Sequence, residues 1–247
     1  VGCRAYPVLM CGRVVVDYEG MAIGEADRDI VRWVGEGLEA LGESPASSWN
    51  LAPTQQVPLL LRPRKAPETH RVELARWGIV PPWEKEFGTK YPTFNARIES
   101  VAEKRTFAPS LVARRCAVLT TGYYEWLTEG KVKTPHLIGG TGLLPLAGLY
   151  SWWREPGAAE GEGWRLSATV LTRESTGPLA AIHDRMPVFL DDALAADWLD
   201  PELRADHVML GAVSDGAERV AAALNPVAVG PIRGDGPELI VPRSGGE

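Results

Sequence analysis

The clearest periodic signal in the chain lies over residues 26–41. Apolar side chains recur there at Ile30, Val31, Trp33, Val34, Leu38 and Leu41, with acids between them. That spacing predicts an amphipathic helix. Most other apolar segments are short or alternate with polar residues, as half-buried strands do. They predict strands opening at 11–16 and at 57–61, 71–78, 145–153 and 165–172, and a strand pair over 115–126 interrupted at Gly122. Residues 47–53 read as a turn-rich loop, and the Gly/Glu/Ala-rich stretch 155–163 as an exposed hairpin loop. Pro81-Pro82 breaks the chain and permits a short helix after it. Short helices are expected at 191–199, 201–210 and 215–224, and a frayed polar tail from Arg243.

Many short strands with few helices between them argue for an α+β class with a single domain. Its core is expected to be β-rich and partly barrel-like, with peripheral helices, and not a βαβ parallel sheet. No internal repeat and no linker divides the chain. With 247 residues it is long enough to bury a large core without staples.

Composition narrows the chemistry. Cys3, Cys11 and Cys116 are odd in number and form no CxxC pair, so neither a disulfide framework nor a zinc site is expected. His70, His136, His183 and His207 are scattered. No metal and no small-molecule cofactor is therefore anticipated. Segment 1–10 is too short and too weakly apolar for a secretory signal, and no apolar run reaches membrane-span length. A cytoplasmic protein without membrane association is the expectation. The net charge of −6 does not suggest nucleic acid, but a local groove matters more than a total. Arg13, Arg76, Arg97, Arg105, Arg114, Arg115 and Arg185 gather near candidate site segments. Of nine tryptophans most should be core, while Trp77, Trp83 and Trp126 sit where stacking on a ligand is plausible.

No phosphate loop, dinucleotide fingerprint, GxSxG or HExxH occurs. Four polar residues stand out instead. Cys11 follows Met10; by burial habit alone a free cysteine is a small core hydrophobe. If it becomes the first residue, it presents a 1,2-aminothiol whose α-amino pKa of about 7.7–8.0 leaves a nucleophilic fraction near neutrality. Glu125, between Tyr124 and Trp126, either faces water, pairs with an arginine, or is desolvated, which would raise its pKa and suit it to move protons. His183, in Ile182-His183-Asp184-Arg185-Met186-Pro187, is either structural or an acid–base group. Asn95, before Ala96-Arg97, is either a turn residue or a group that orients a substrate, with Arg97 binding a phosphate. Cys, His, Glu and Asn together also allow a papain-like thiol hydrolase, although the sequence flanking that family's cysteine is missing.

In order along the chain, seven strings carry a more specific signal. They are Cys11-Gly12-Arg13, Asn50-Leu51-Ala52-Pro53-Thr54, Arg76-Trp77-Gly78-Ile79-Val80-Pro81, Asn95-Ala96-Arg97-Ile98-Glu99, Gly122-Tyr123-Tyr124-Glu125-Trp126, Ala147-Gly148-Leu149-Tyr150 and Ile182-His183-Asp184-Arg185-Met186-Pro187. Together they resemble the SOS response-associated peptidase (SRAP) family, the abasic-site processing proteins. The resemblance runs over 10–241, leaving 1–9 as a leader or a misassigned start and 242–247 as a tail.

The resemblance implies a mixed fold with a DNA groove and covalent capture of the ring-opened abasic deoxyribose in single-stranded DNA. Cys11, Asn95, Glu125 and His183 match the family's active-site residues. Arg13, Pro53, Trp77, Arg97 and Trp126 fall in its DNA-binding segments. The implied partner is single-stranded DNA with abasic sites, bound by a monomer that is nucleoid-associated while on DNA. Three departures are visible: residues 1–9 ahead of Met10, Val14 where an aromatic is common, and Thr120-Thr121 before Gly122. A misassigned start accounts for residues 1–9, which have no recognisable organisation; self-removal by a thiol peptidase is the alternative. A non-catalytic single-strand binder, with Cys11 as packing, is the remaining alternative.

Overall fold

The computed structural model describes residues 12–21, 28–42 and 45–243. Cys11 and residues 1–9 lie outside them, as do 244–247. The described strands are β1 (Val14–Val16), β2 (Ser48–Leu51), β3 (Gln56–Leu61), β4 (Arg71–Trp77), β5 (Asn95–Arg97), β6 (Arg115–Val118), β7 (Gly122–Glu129), β8 (Val132–Gly139), β9 (Leu146–Arg154), β10 (Trp164–Glu174), β11 (Arg185–Pro187) and β12 (Val227–Ala228). The helices are α1 (Tyr18–Met21), α2 (Asp29–Leu41), α3 (Ala108–Ala113), α4 (Asp192–Leu199) and α5 (His207–Ala223).

Five strands close into a barrel. β3 pairs with β4 and β6, β6 with β9, β9 with β10, and β10 with β4. Only the β4–β10 closure is parallel; the other four pairings are antiparallel. Closure removes the edges of a sheet whose strands are apolar on both faces, such as β3, where Val57, Leu59 and Leu60 are fully buried. β10 is longer than the ring needs. Its second half also carries β5 and β11, so the barrel opens into a ledge there.

A second sheet runs β12-β8-β7-β1-β2. It joins the barrel through the short step from β6 to β7. The step hugs the neighbouring chain, since Gly140 N–H donates to Thr121 O at 2.7 Å. A Cβ on Gly122 would lie 2.8 Å from Gly140 N, so the strand interruption read at Gly122 is a close backbone crossing. Ring contact between Tyr123 and Phe189, 6.1 Å between centroids, also links the second sheet to the segment after β11.

α2 covers β4 with Ile30, Val34 and Gly37 inward. Gly37 sets the approach, because a Cβ there would meet Val72 Cγ2 at 2.7 Å. The two helices expected over 201–210 and 215–224 are one helix, α5, capped by Asp206, whose carboxylate accepts from Val208 and Met209 N–H. Residues 201–206 form no helix, and neither does the segment after Pro82.

Candidate functional site

Glu125 stands in the first half of β7, and the neighbouring strand on one side is β1, with Val14 opposite Tyr123. Tyr124 N–H donates to Arg13 O at 3.0 Å. Gly12 and Arg13, the first described residues, therefore run beside Tyr124 and Glu125. On the other side Glu125 is opposite His136 of β8. Glu125 is 2% exposed, and its Oε1 accepts the Trp126 N–H at 3.2 Å. A carboxyl group this buried, on a strand flanked by aromatics, is dear to desolvate and needs a reason to be there. Its neighbour Tyr124 belongs to a small apolar cluster with Val15, Leu137, Val229 and Leu239, and burial, reinforced by Asp235 and Glu238, pushes its phenol well above the ordinary range.

Asn95 is held by β10, and His183 by the turn that follows it. Asn95 opens β5, opposite Val170. The preceding carbonyl, Phe94 O, accepts from Val170 N–H and from the indole of Trp77, both at 2.9 Å, which fixes the entry into the strand. His183 follows the 3-10 turn Gly177–Ala181 and is tied to it by its N–H on Leu179 O at 3.2 Å. Its Nδ1 lies 3.1 Å from Arg185 N and 2.8 Å from Asp184 Oδ1. One nitrogen cannot accept from the first and donate to the second. The Asp184 side chain is 85% exposed and can turn to water, whereas the backbone N–H cannot, so the acceptor role is the stronger one. Nε2 then carries the proton of the neutral ring.

Arg185 ties the two supports together. Its guanidinium grips Glu99 through two bonds, Nη1 to Oε1 at 2.6 Å and Nη2 to Oε2 at 2.9 Å, and donates to Thr172 O at 2.8 Å. Thus the segment after β5, strand β10 and the start of β11 are clamped on one another.

The anticipated DNA-facing residues divide. Arg97 is exposed at the end of β5, and Arg13 and Trp126 are half-buried. Pro53 lies half-buried in the loop between β2 and β3, beside Thr54, whose φ of 78° is costly for a β-branched residue. That conformation is held by Thr54 N–H on Trp77 O at 2.7 Å and Trp77 N–H on Gln55 O at 2.8 Å. Trp77 itself does not face a ligand. It is 0% exposed and edge-on to Phe94 at 5.7 Å, because it ends β4 on the core face. The exposed tryptophan of that region is Trp83, 41% exposed, with the Arg105 guanidinium 4.9 Å from its ring. Arg115, grouped above with the site arginines, is also a core residue at 2% exposure.

The SOS response associated peptidase (SRAP) family model matches residues 10–228. The chain belongs to the SRAP family. It is 30% identical to the abasic site processing protein YedK of Escherichia coli over 94% of this chain and 100% of that one. It is also 30% identical to the abasic site processing protein HMCES of Gallus gallus over 94% and 78%. The Bacillus subtilis protein YoqW, named likewise, is 35% identical over 63% of this chain and 67% of its own. Among solved structures, a Bacteroides thetaiotaomicron protein matches with TM-score 0.64 at 20% identity over 83% of this chain and 90% of that chain, a likeness of fold. Among the described residues no cluster of three or more His, Cys, Asp or Glu could hold a metal, and no helix is long and apolar enough to cross a membrane.

Proposed function

We propose that this SRAP protein processes abasic sites by joining Cys11 to the ring-opened deoxyribose in single-stranded DNA as a thiazolidine. The observation that carries the reading is Glu125, a buried carboxyl group on the strand alongside Gly12 and Arg13, the residues that follow Cys11.

The chemistry requires Cys11 at the chain terminus, because an internal amide nitrogen is not nucleophilic. The free amine attacks the C1′ aldehyde carbon to give a carbinolamine. Glu125 protonates the departing hydroxyl, water leaves, and an imine forms. The Cys11 thiol adds to the imine carbon and its proton passes to nitrogen. The balance is aldehyde plus aminothiol to thiazolidine plus one water. Sulfur and nitrogen sit on adjacent carbons, so ring closure is intramolecular and has a high effective concentration. His183, with Nε2 protonated, serves as acid at the sugar ring oxygen and favours the open aldehyde. Asn95, fixed on β5, orients the amine or the intermediate. Arg13 and Arg97 neutralise flanking phosphates, and Trp126 and Pro53 shape the path of neighbouring bases. Binding is then expected to weaken as salt rises.

The test is denaturing electrophoresis of protein beginning at Cys11 with single-stranded DNA carrying one abasic site. A shifted covalent band, lost in Cys11→Ala and in protein that retains residues 1–10, supports the reading. Intact, folded protein that gives no band overturns it.

A further inference from the structure

Beyond the site, the far end of β10 carries an aromatic and cationic surface. Trp164 opposes Arg154 and Leu166 opposes Trp152 across the β9–β10 ladder, so Trp152 and Trp164 are diagonal neighbours on one face. They are 38% and 52% exposed. An exposed tryptophan pair on paired strands is not a feature that folding requires. The pair forms a ridge between two open clefts. One, of about 460 Å³, is lined by both tryptophans together with Arg76, Arg165, Phe87 and Glu73. The other, of about 650 Å³, is bounded by Lys65, Pro82 and Arg114.

The cations there are not neutralised by carboxylates. Arg165 and Arg76 both approach the ring of Phe87, at 3.9 and 5.9 Å from its centroid. Among the described residues, none of Lys65, Arg76, Arg114 and Arg165 takes part in an ion pair. Elsewhere Arg28, Arg62, Arg64, Arg173, Arg185 and Arg219 are paired, while others, such as Arg71 and Arg97, take part in no ion pair among the described residues. In a chain of net charge −6, four unneutralised cations around two exposed indoles mark a local positive field. Alternating flat aromatic faces and cations is the pattern that tracks a single-stranded backbone while stacking its bases.

We propose that the Trp152–Trp164 ridge and its two cationic flanks form a second, lesion-independent contact for the single-stranded DNA whose abasic site occupies the Cys11 site. The inference rests on the reading of single-stranded DNA as the substrate. The geometry suits a distal contact. Trp164 lies six positions from Val170, the partner of Asn95, or about 20 Å along β10 at the ordinary rise per residue. A single strand that extends from the site toward the start of β10 reaches the ridge several nucleotides from the lesion.

The experiment measures affinity of the full chain for undamaged labelled oligothymidylates of about 5 and about 16 nucleotides, the span of single-strand site sizes. The longer strand is expected to bind about tenfold more tightly, from one or two added stacked bases. In Trp152→Ala/Trp164→Ala that gain disappears while the short oligomer binds as before. Arg165→Ser retains the stacking and lowers the salt dependence of the longer strand only. In parallel, the form beginning at Cys11 is given a 5-nucleotide abasic strand. Loss of its covalent band in every form, with the length gain intact, sinks the covalent reading and leaves the ridge standing. A double variant that keeps the full length gain overturns the ridge. So does an equal gain with duplex DNA, or displacement of the longer strand by polyglutamate at equal charge.

Discussion

Arg185 and Glu99 are 86 residues apart in sequence and meet through two parallel bonds of 2.6 and 2.9 Å on the ledge of β10. The Arg185 side chain is 13% exposed and that of Glu99 49%, so the guanidinium bears the larger desolvation cost. Burial works to raise the Glu99 carboxyl group, but the hydrogen bonds and charge of Arg185 outweigh it and hold it below its ordinary value. Arg185→Met is expected to cost about 2 kcal/mol, and Glu99→Gln, after discounting for screening, about 1 kcal/mol or less. A carboxylate whose folded pKa is depressed stabilises fully above its unfolded pKa. The wild-type advantage over Glu99→Gln is therefore present at neutral pH and fades as pH falls through the folded value. Thermal unfolding of both proteins between neutral and acid pH checks this. A difference that grows toward acid contradicts it.

Glu125→Gln preserves shape and volume at a position only 2% exposed. The amide can still accept the Trp126 N–H but cannot transfer a proton. Crosslink formation is expected to slow by about 10²- to 10⁴-fold, the usual contribution of a positioned acid–base group. Undamaged DNA should bind as before. Rapid-quench time courses beside equilibrium binding separate the two. An unchanged rate removes Glu125 from the chemistry.

Much of the barrel was legible because its strands have the period-2 or continuously apolar pattern of buried β-structure: residues 56–61, 71–77, 146–154 and 164–174 all lie within two positions of the expected bounds. β8 was not legible. Its sequence, Val132 to Gly139, contains Lys131-Val132-Lys133-Thr134-Pro135 nearby and in it, and proline within a run usually demotes a strand. Pro135 is tolerated because the neighbouring contact there needs only its carbonyl, which accepts from Val229 N–H at 3.0 Å. β2 was read as a loop, since Ser48 and Asn50 look like turn residues; both instead bond outward, to Asp235 and to Gly234 O. The Glu99–Arg185 clamp and the Trp152–Trp164 ridge depend on which strands become neighbours, and local pattern carries no such information.

Trp77 and Trp83 are six residues apart and invite opposite outcomes. Trp77 is fully buried and its indole N–H donates to Phe94 O at 2.9 Å. Trp77→Phe should lower stability by about 1–3 kcal/mol, from the lost indole hydrogen bond and the lost volume, and leave the DNA affinity of the folded fraction unchanged. Trp83 is exposed, so Trp83→Ala should leave the unfolding midpoint unchanged within about 0.5 kcal/mol. The same change should weaken single-stranded DNA binding several-fold, by loss of one stacking face worth about 1–3 kcal/mol. Chemical denaturation and fluorescence anisotropy on both variants give the two readings. A stable Trp77→Phe with weakened binding would reverse the assignment.

Arg115 is the clearest case of a cation that serves the fold. Although arginine is rarely buried, the Arg115 side chain is nearly sealed, and its three guanidinium nitrogens make five bonds to main-chain carbonyls. Nε donates to Trp198 O at 2.7 Å, Nη1 to Leu111 O and Val112 O at 3.0 Å, and Nη2 to Leu203 O at 2.9 Å and to Asp200 O. All but Leu203 O lie at the ends of α3 and α4, where helices leave acceptors without internal partners and favour positive charge. Desolvation works to lower the guanidinium pKa, and Asp200 and Tyr150 oppose it. Arg115→Met keeps the length of the side chain but strands several buried acceptors at once. The expected loss is about 3–5 kcal/mol, the range for breaking a buried charged network. Arg115→Lys should recover only part, because three donors on one nitrogen cannot reach acceptors spread around a planar fork. Urea titration measures both. If Arg115→Met unfolds at the wild-type midpoint, or if Lys restores full stability, the convergence of carbonyls on this side chain is not what holds α3 and α4 to the barrel.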